Sequence, residues 1–284
     1  MAETLKLLAV LPHPDDETLA IGGLLARYSA EGVETHVICA TRGEYGWSGP
    51  PEQNPGPTAL GQIREAELRC AAHHLGLHEL TFLDYLDGMV DQAEPQAIMT
   101  QIAGHIRRIQ PQVVITFPPD GHYGHPDHIA LSQFTVGAVL CAADAGFHDP
   151  AARAPFRVSK LYYTVDTLAL VEAFSELVGT ISMEIDGIVR NHVGWEAWAV
   201  TTRIDVTDYF DRVWQAVMCH QSQLPGYAPV VDLPRDMLLR FFGEGTLYRV
   251  FSLVNGGRAV EHDLFQGIRN LPSEAAIPDQ EKMQ

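Results

Sequence analysis

Residues 5–11, LKLLAVL, form an apolar run broken only by Lys6, the pattern of a strand covered on both faces. Residues 17–31 follow with helical spacing of apolar side chains, and Gly32 is a natural stop. Residues 33–41, VETHVICAT, are rich in β-branched residues again. A buried strand, a helix and a second strand in so short a span predict a βαβ unit, with parallel strands and a right-handed crossover. The alternation continues, with helices expected over 59–76, 94–109 and 129–144 and strands over 79–84, 112–117 and 159–165. The fold class is therefore α/β: a Rossmann-like, mostly parallel sheet flanked by helices over residues 5–165. Residues 166–271 form a C-terminal elaboration, with strands expected at 199–206 and 246–254 and a helix at 207–222. No linker divides the chain, so one domain is expected over 1–271, ahead of a loose polar tail at 272–284.

The chain has 284 residues and a formal net charge of −17. A surface that acidic argues against nucleic acid or an anionic membrane as the partner, while leaving metal cations welcome. No apolar run approaches the roughly 20 residues that span a bilayer. The first residues lack the pattern of a secretory signal. Cys39, Cys70, Cys141 and Cys219 are widely spaced in apolar surroundings and read as buried free thiols. Together these features lead to the expectation of a soluble, cytoplasmic protein. They leave its oligomeric state open, homo-oligomers included. Residues 48–58, SGPPEQNPGPT, are dense in Pro and Gly and read as a surface loop or a lid over a site.

The chemistry is concentrated at two places. His13, Asp15, Asp16 and Glu17 follow the first expected strand, where ligands bind in parallel α/β sheets. One acid there would cap the following helix, but a single cap does not explain a histidine and two further acids. Residues 117–128, FPPDGHYGHPDH, follow the 112–117 strand at the same sheet edge and again carry His-Pro-Asp, then His128. Imidazole and carboxylate suit a borderline divalent metal such as zinc, and Fe2+ equally well. Two histidines and one carboxylate leave a coordination position open for water, the arrangement of a catalytic site. No GxGxxG, GxSxG or P-loop pattern is present.

With PHPDDE at residues 12–17 and GHPDH at 124–128, the chain resembles the LmbE-like family of zinc-dependent N-deacetylases. That family acts on N-acetylglucosaminyl conjugates of phosphatidylinositol, inositol and malate. The resemblance covers residues 5–165 and continues weakly through AVMCHQSQ at 216–223. It implies metal ligation by His13, Asp16 and His128, with Asp15 as general base. It makes His125 the second catalytic group, held by Asp127 and stabilising the developing negative charge as a protonated imidazole. Tyr123 would polarise the carbonyl. Arg64, Asp87 and Glu44 would contact the sugar or its polyol. The chain departs from the inositol-conjugate enzymes at Ala20, where serine is usual, and throughout 166–200.

The expected function is removal of acetyl from an N-acetylglucosamine-type amino sugar or its conjugate. Two rivals are an amidase acting on a larger thiol-glycoside conjugate, with a roomier acyl pocket, and a metal-dependent sugar-binding module without turnover. Asp15 speaks against the module, since binding alone needs no base beside the metal. His220 ends a helix and either approaches the site or caps that helix, the cap being the preferred reading. Asp120 and His122 read as solvated loop residues, and His192 carries no motif.

Overall fold

The computed structural model describes residues 4–269. Its strands are β1 (Lys6–Leu11), β2 (Glu34–Cys39), β3 (Glu79–Phe82), β4 (Val113–Thr116), β5 (Lys160–Thr164), β6 (Ser182–Ile185), β7 (Ile188–Asn191), β8 (Thr202–Asp205) and β9 (Glu244–Ser252). Its helices are α1 (Asp16–Leu19), α2 (Gly22–Ala30), α3 (Pro57–Leu75), α4 (Pro95–Ile109), α5 (Gly121–Gly124, a distorted turn), α6 (Pro126–Ala143), α7 (Leu168–Val178), α8 (Phe210–Val217), α9 (Leu224–Val231) and α10 (Arg235–Phe242). Seven strands make one sheet in the order β3-β2-β1-β4-β5-β9-β8, and β6 pairs only with β7. The first five strands are parallel, as the alternation predicts, while β9 and β8 add antiparallel to β5. The 272–284 tail lies outside the described residues.

β1 sits at the centre and is covered on both sides. Leu7, Ala9 and Leu11 join the cluster under α2 and α8, whereas Leu8 and Val10 join the cluster under α4 and α6. Successive side chains of a strand point to opposite faces, so a strand buried twice must be apolar throughout. The helix boundaries follow local chemistry. Pro57 opens α3 and Gly76 closes it in a left-handed conformation. Glu94 caps α4 by accepting from the Gln96 and Ala97 backbone N–H groups.

Three expectations are corrected. The single helix expected at 17–31 breaks between α1 and α2. Gly22 and Gly23 lie at the break, a usual place for a helix to bend, and Gly23 packs so close to Val206 that a Cβ would lie 2.4 Å from its Cγ2. The helix expected over 207–222 is shorter, running from Phe210 to Val217. Finally, Cys70 and Cys219 are joined by a disulfide with Cα atoms 5.8 Å apart, leaving Cys39 and Cys141 free. The pair is separated by 149 residues and meets only because α8 packs on α3, which spacing does not reveal. The expectation of a cytoplasmic protein rested in part on four free thiols and loses that part of its support. Among the described residues, no helix is long and apolar enough to cross a membrane.

Candidate active site

The two His-Pro-Asp segments meet beyond the carboxyl ends of β1 and β4. After β1 the chain enters α1 through Asp15, whose φ of 106° is left-handed. That sharp turn folds Asp16 back so that its Oδ2 accepts the His13 backbone N–H at 2.9 Å. After β4, His125 caps α6 by accepting the Asp127 N–H on Nδ1 at 3.2 Å, and Pro126 occupies the first helical position. This places Asp127 and His128 in the first turn.

His13 Nδ1 lies 3.3 Å from His128 Nε2 and 3.5 Å from Asp16 Oδ2. His128 Nε2 lies 3.8 Å from Asp16 Oδ1. All three residues are buried. The opposite edge of the His13 ring is held by two acids, with Nε2 3.2 Å from both Asp87 Oδ1 and Asp127 Oδ2. A carboxylate on the far nitrogen of an imidazole is the usual way to orient a metal-ligating histidine. The donor set therefore fits a borderline divalent cation, and the electrostatics agree. Burial depresses His13, but its bonds to Asp127, Asp16 and Asp87 outweigh this and raise it well above the usual histidine value. Burial, with the Asp15 charge beside it, raises Asp16 to about 6. A bound cation would reverse both shifts, because it favours neutral imidazole and ionised carboxylate.

Asp15 lines a cavity of about 520 Å³ together with Asp16, Tyr123 and His128. Its Oδ2 accepts from Tyr227 Oη at 2.5 Å and from Arg64 Nη2 at 3.1 Å. Its backbone N–H donates to Glu17 Oε2 at 2.9 Å. Glu17 Oε1 in turn lies 2.8 Å from His220 Nε2, and both residues are 1% exposed. The 220–227 segment is fastened at further points. Ser222 donates to Glu67 from its backbone N–H and its hydroxyl, while Gln223 bridges Ser48 and the Gly46 carbonyl. Tyr123 stands edge-on to His128, with ring centroids 5.3 Å apart. Burial and the neighbouring Asp16 and Asp15 charges raise its phenol well above the ordinary value, so it remains a hydrogen-bond donor.

Several expected roles change with the geometry. The Asp127 carboxylate engages His13 and the Gly88 and Val90 backbone N–H groups, rather than the His125 side chain. Burial and the adjacent His13 hold His125 down at about 4, a direction that favours the neutral imidazole. Arg64 is buried and donates to Asp15 and to the Pro14 and Gly43 carbonyls. Gly43, at φ +66°, admits it, since a Cβ there would lie 2.2 Å from Nη1. Asp87 accepts from the Tyr45 N–H and His13, and Glu44 accepts from the Asp87 N–H. None of Arg64, Asp87, Glu44, His13 and His125 lines the cavity, and neither does any residue of the loop 48–58 expected as a lid. Its wall beyond the catalytic groups comes from α7, α9 and α10, through Leu170, Phe174, Val230 and Phe241 among others. Of the two readings of His220, the approach to the site holds, through Glu17. Tyr227 and the His122–Asp166–His192 group were not expected; Tyr227 sits in an ordinary PGYAP stretch that gives no signal.

The model of the PIG-L family, described as GlcNAc-PI de-N-acetylase, matches residues 8–139, the span that holds both His-Pro-Asp segments. A 1D-myo-inositol 2-acetamido-2-deoxy-alpha-D-glucopyranoside deacetylase of Rhodococcus opacus is 35% identical over 249 residues, covering 77% of this chain and 82% of the relative. The enzyme of the same name from Kineococcus radiotolerans is 35% identical over 301 residues, covering 93% of this chain and 83% of the relative. Among solved structures, a conserved protein from Thermus thermophilus is similar, with a TM-score of 0.63 and 26% identity over 89% of this chain and 98% of that one. The sheet, the paired acids beside two converging histidines and the extent of these matches lead to one conclusion: the chain belongs to the PIG-L, or LmbE-like, family and is a hydrolytic N-deacetylase.

Proposed function

We propose that this enzyme removes the acetyl group from an N-acetylglucosamine unit carried on an inositol-type aglycone, with His13, Asp16 and His128 holding zinc or Fe2+. The observation that carries this reading is the convergence of those three side chains, with Asp16 and His128 lining the cavity beside Asp15. The relatives named as deacetylases of the inositol glycoside support the substrate class.

The cation, when bound, supplies Lewis-acid chemistry that acidifies water and polarises a carbonyl. Asp15 accepts the proton of the attacking water. Tyr227 and Arg64 both address its Oδ2, so Oδ1 is the oxygen left to take that proton. Negative charge then develops on the amide oxygen, towards which the Tyr123 phenol and the neutral His125 donate. The departing amine receives the proton that Asp15 took up. Asp127 and Asp87 keep His13 in the tautomer that offers Nδ1 to the cation.

The apolar wall formed by α7, α9 and α10 favours a second reading on the same chemistry, a larger conjugate with an apolar portion, as an amidase would take. Two measurements test these proposals. His13→Ala, Asp16→Ala and His128→Ala should each lower bound metal and turnover together; unchanged metal content in any one removes that residue from the ligand set. Amine release from a panel of N-acetylglucosamine conjugates ranks the aglycones, and a preference for alkyl over inositol aglycones would favour the second reading.

A further inference from the structure

A second convergence of ligand-type atoms faces the same cavity and shares no residue with the first. His122, Asp166 and His192 all line it. His122 Nδ1 lies 3.2 Å from His192 Nε2. Asp166 Oδ2 lies 3.0 Å from His192 Nε2 and 3.5 Å from His122 Nδ1. Ligand atoms about 2.0–2.1 Å from a tetrahedral cation lie about 3.3 Å from one another. The three separations bracket that value, as closely as the 3.3, 3.5 and 3.8 Å separations within the His13, Asp16 and His128 group. We propose that His122, Asp166 and His192 form a second site for a borderline divalent cation such as zinc, with its open coordination position turned into the cavity.

The fold holds this trio in place at some cost. His122 is not a glycine, yet it sits at φ 62°, ψ −70°, outside the helical region. Such strain persists only where the surroundings enforce it. Here Asp120 Oδ1 accepts the His122 N–H at 2.9 Å, and the His122 carbonyl accepts the Val193 N–H at 2.7 Å. Asp120 Oδ2 also accepts from Trp195 Nε1 at 2.8 Å. The Trp195 N–H also donates to the Asp166 carbonyl at 2.8 Å, so three separate segments, the α5 turn, the stretch just after β5 and the chain leaving β7, are tied together and one ligand atom from each meets the others. A cation with three protein ligands keeps one position for water or for a substrate oxygen. Since Asp16 and His128 line the same cavity, that position would meet the part of the substrate remote from the scissile amide.

Metal stoichiometry tests the proposal without any reliance on turnover. Chelator-stripped full-length protein is titrated with Co2+, followed by its visible absorption, and with Zn2+, followed by elemental analysis after desalting. Two equivalents are expected for the wild type and one for His192→Ala. One equivalent, held by the catalytic trio, would show that the variant is folded. Asp16→Ala should likewise bind one, and the double variant none. A wild type binding one equivalent that survives His192→Ala overturns the second site, and so does a second equivalent that survives it. One equivalent lost in His192→Ala but kept in Asp16→Ala would support this site while overturning the catalytic ligand set. Asp166→Asn, which keeps the size of the side chain, should lower Co2+ affinity at least tenfold; unchanged affinity would remove Asp166 and with it the proposal.

Discussion

Asp15 shows how one residue is prepared by its surroundings. Its left-handed φ is unusual for a residue other than glycine, and strain of that kind concentrates at functional sites. The Glu17 side chain holds its N–H, and Arg64 and Tyr227 hold its Oδ2. Asn at this position keeps the shape but cannot take a proton from water at neutral pH. General-base catalysis is worth about 10²–10⁴-fold, so Asp15→Asn should lower kcat by that factor with metal content and KM little changed. Near wild-type turnover at full metal occupancy would remove Asp15 from the chemistry. Burial and the facing Asp15 charge raise the Tyr227 phenol well above its ordinary value, so it donates at every working pH. Tyr227 fixes the orientation of the Asp15 carboxylate, and Tyr227→Phe, which frees that carboxylate to turn, should lower kcat by roughly tenfold. A purely structural tyrosine would show the loss in thermal stability and leave kcat per folded molecule unchanged.

The segment following α8 acts as a brace behind the catalytic turn, with the His220–Glu17 pair at its centre. Burial by itself would depress His220, but the Glu17 charge and hydrogen bond outweigh it and the imidazole is raised. Burial would raise Glu17, and His220 outweighs that, so the carboxyl is lowered. A raised histidine stabilises the fold fully below its unfolded value, about 6.5, and loses that contribution as pH rises through the folded value. A lowered glutamate stabilises fully above about 4.3 and loses it as pH falls through the folded value. The pair should therefore contribute most between about pH 4.3 and 6.5, measured as the difference in unfolding free energy between wild type and Glu17→Gln/His220→Gln. A difference that stayed flat from pH 3 to 9 would contradict an ionised pair. His220→Ala leaves Glu17 buried without its partner and should cost about 3–5 kcal/mol, most of it regained in the double variant. The pair's own elements explain why it escaped notice. AVMCHQSQ stands out in the sequence, but 203 residues separate His220 from Glu17.

Across the whole molecule, the Cys70–Cys219 bond ties α3 to the chain just ahead of that brace. Closing a loop of 149 residues contributes roughly 5 kcal/mol in the chain-entropy account, so reduction or Cys219→Ser should lower Tm by roughly 10 °C. An unchanged Tm under reductant would show that the bond contributes nothing to stability. The sequence by itself determined the parallel half of the sheet, because a strand buried on both faces and an amphipathic helix leave distinct periodicities in the chain. It also determined the positions of His13, Asp15, Asp16, Tyr123, His125 and His128, because each sits in a short motif directly after a recognisable strand. Only the tertiary structure decided the partners. Asp127 turned to His13 rather than His125, Arg64 and Asp87 turned inward to the catalytic turn, and the cavity wall came from α7, α9 and α10 rather than the loop at 48–58. The physical reason is the range of the interactions. Periodicity, capping and turn chemistry act over a few residues and are written locally. A hydrogen bond from Tyr227 to Asp15 or a disulfide from Cys70 to Cys219 depends on which helices pack side by side, and that is fixed by burial summed over the whole chain.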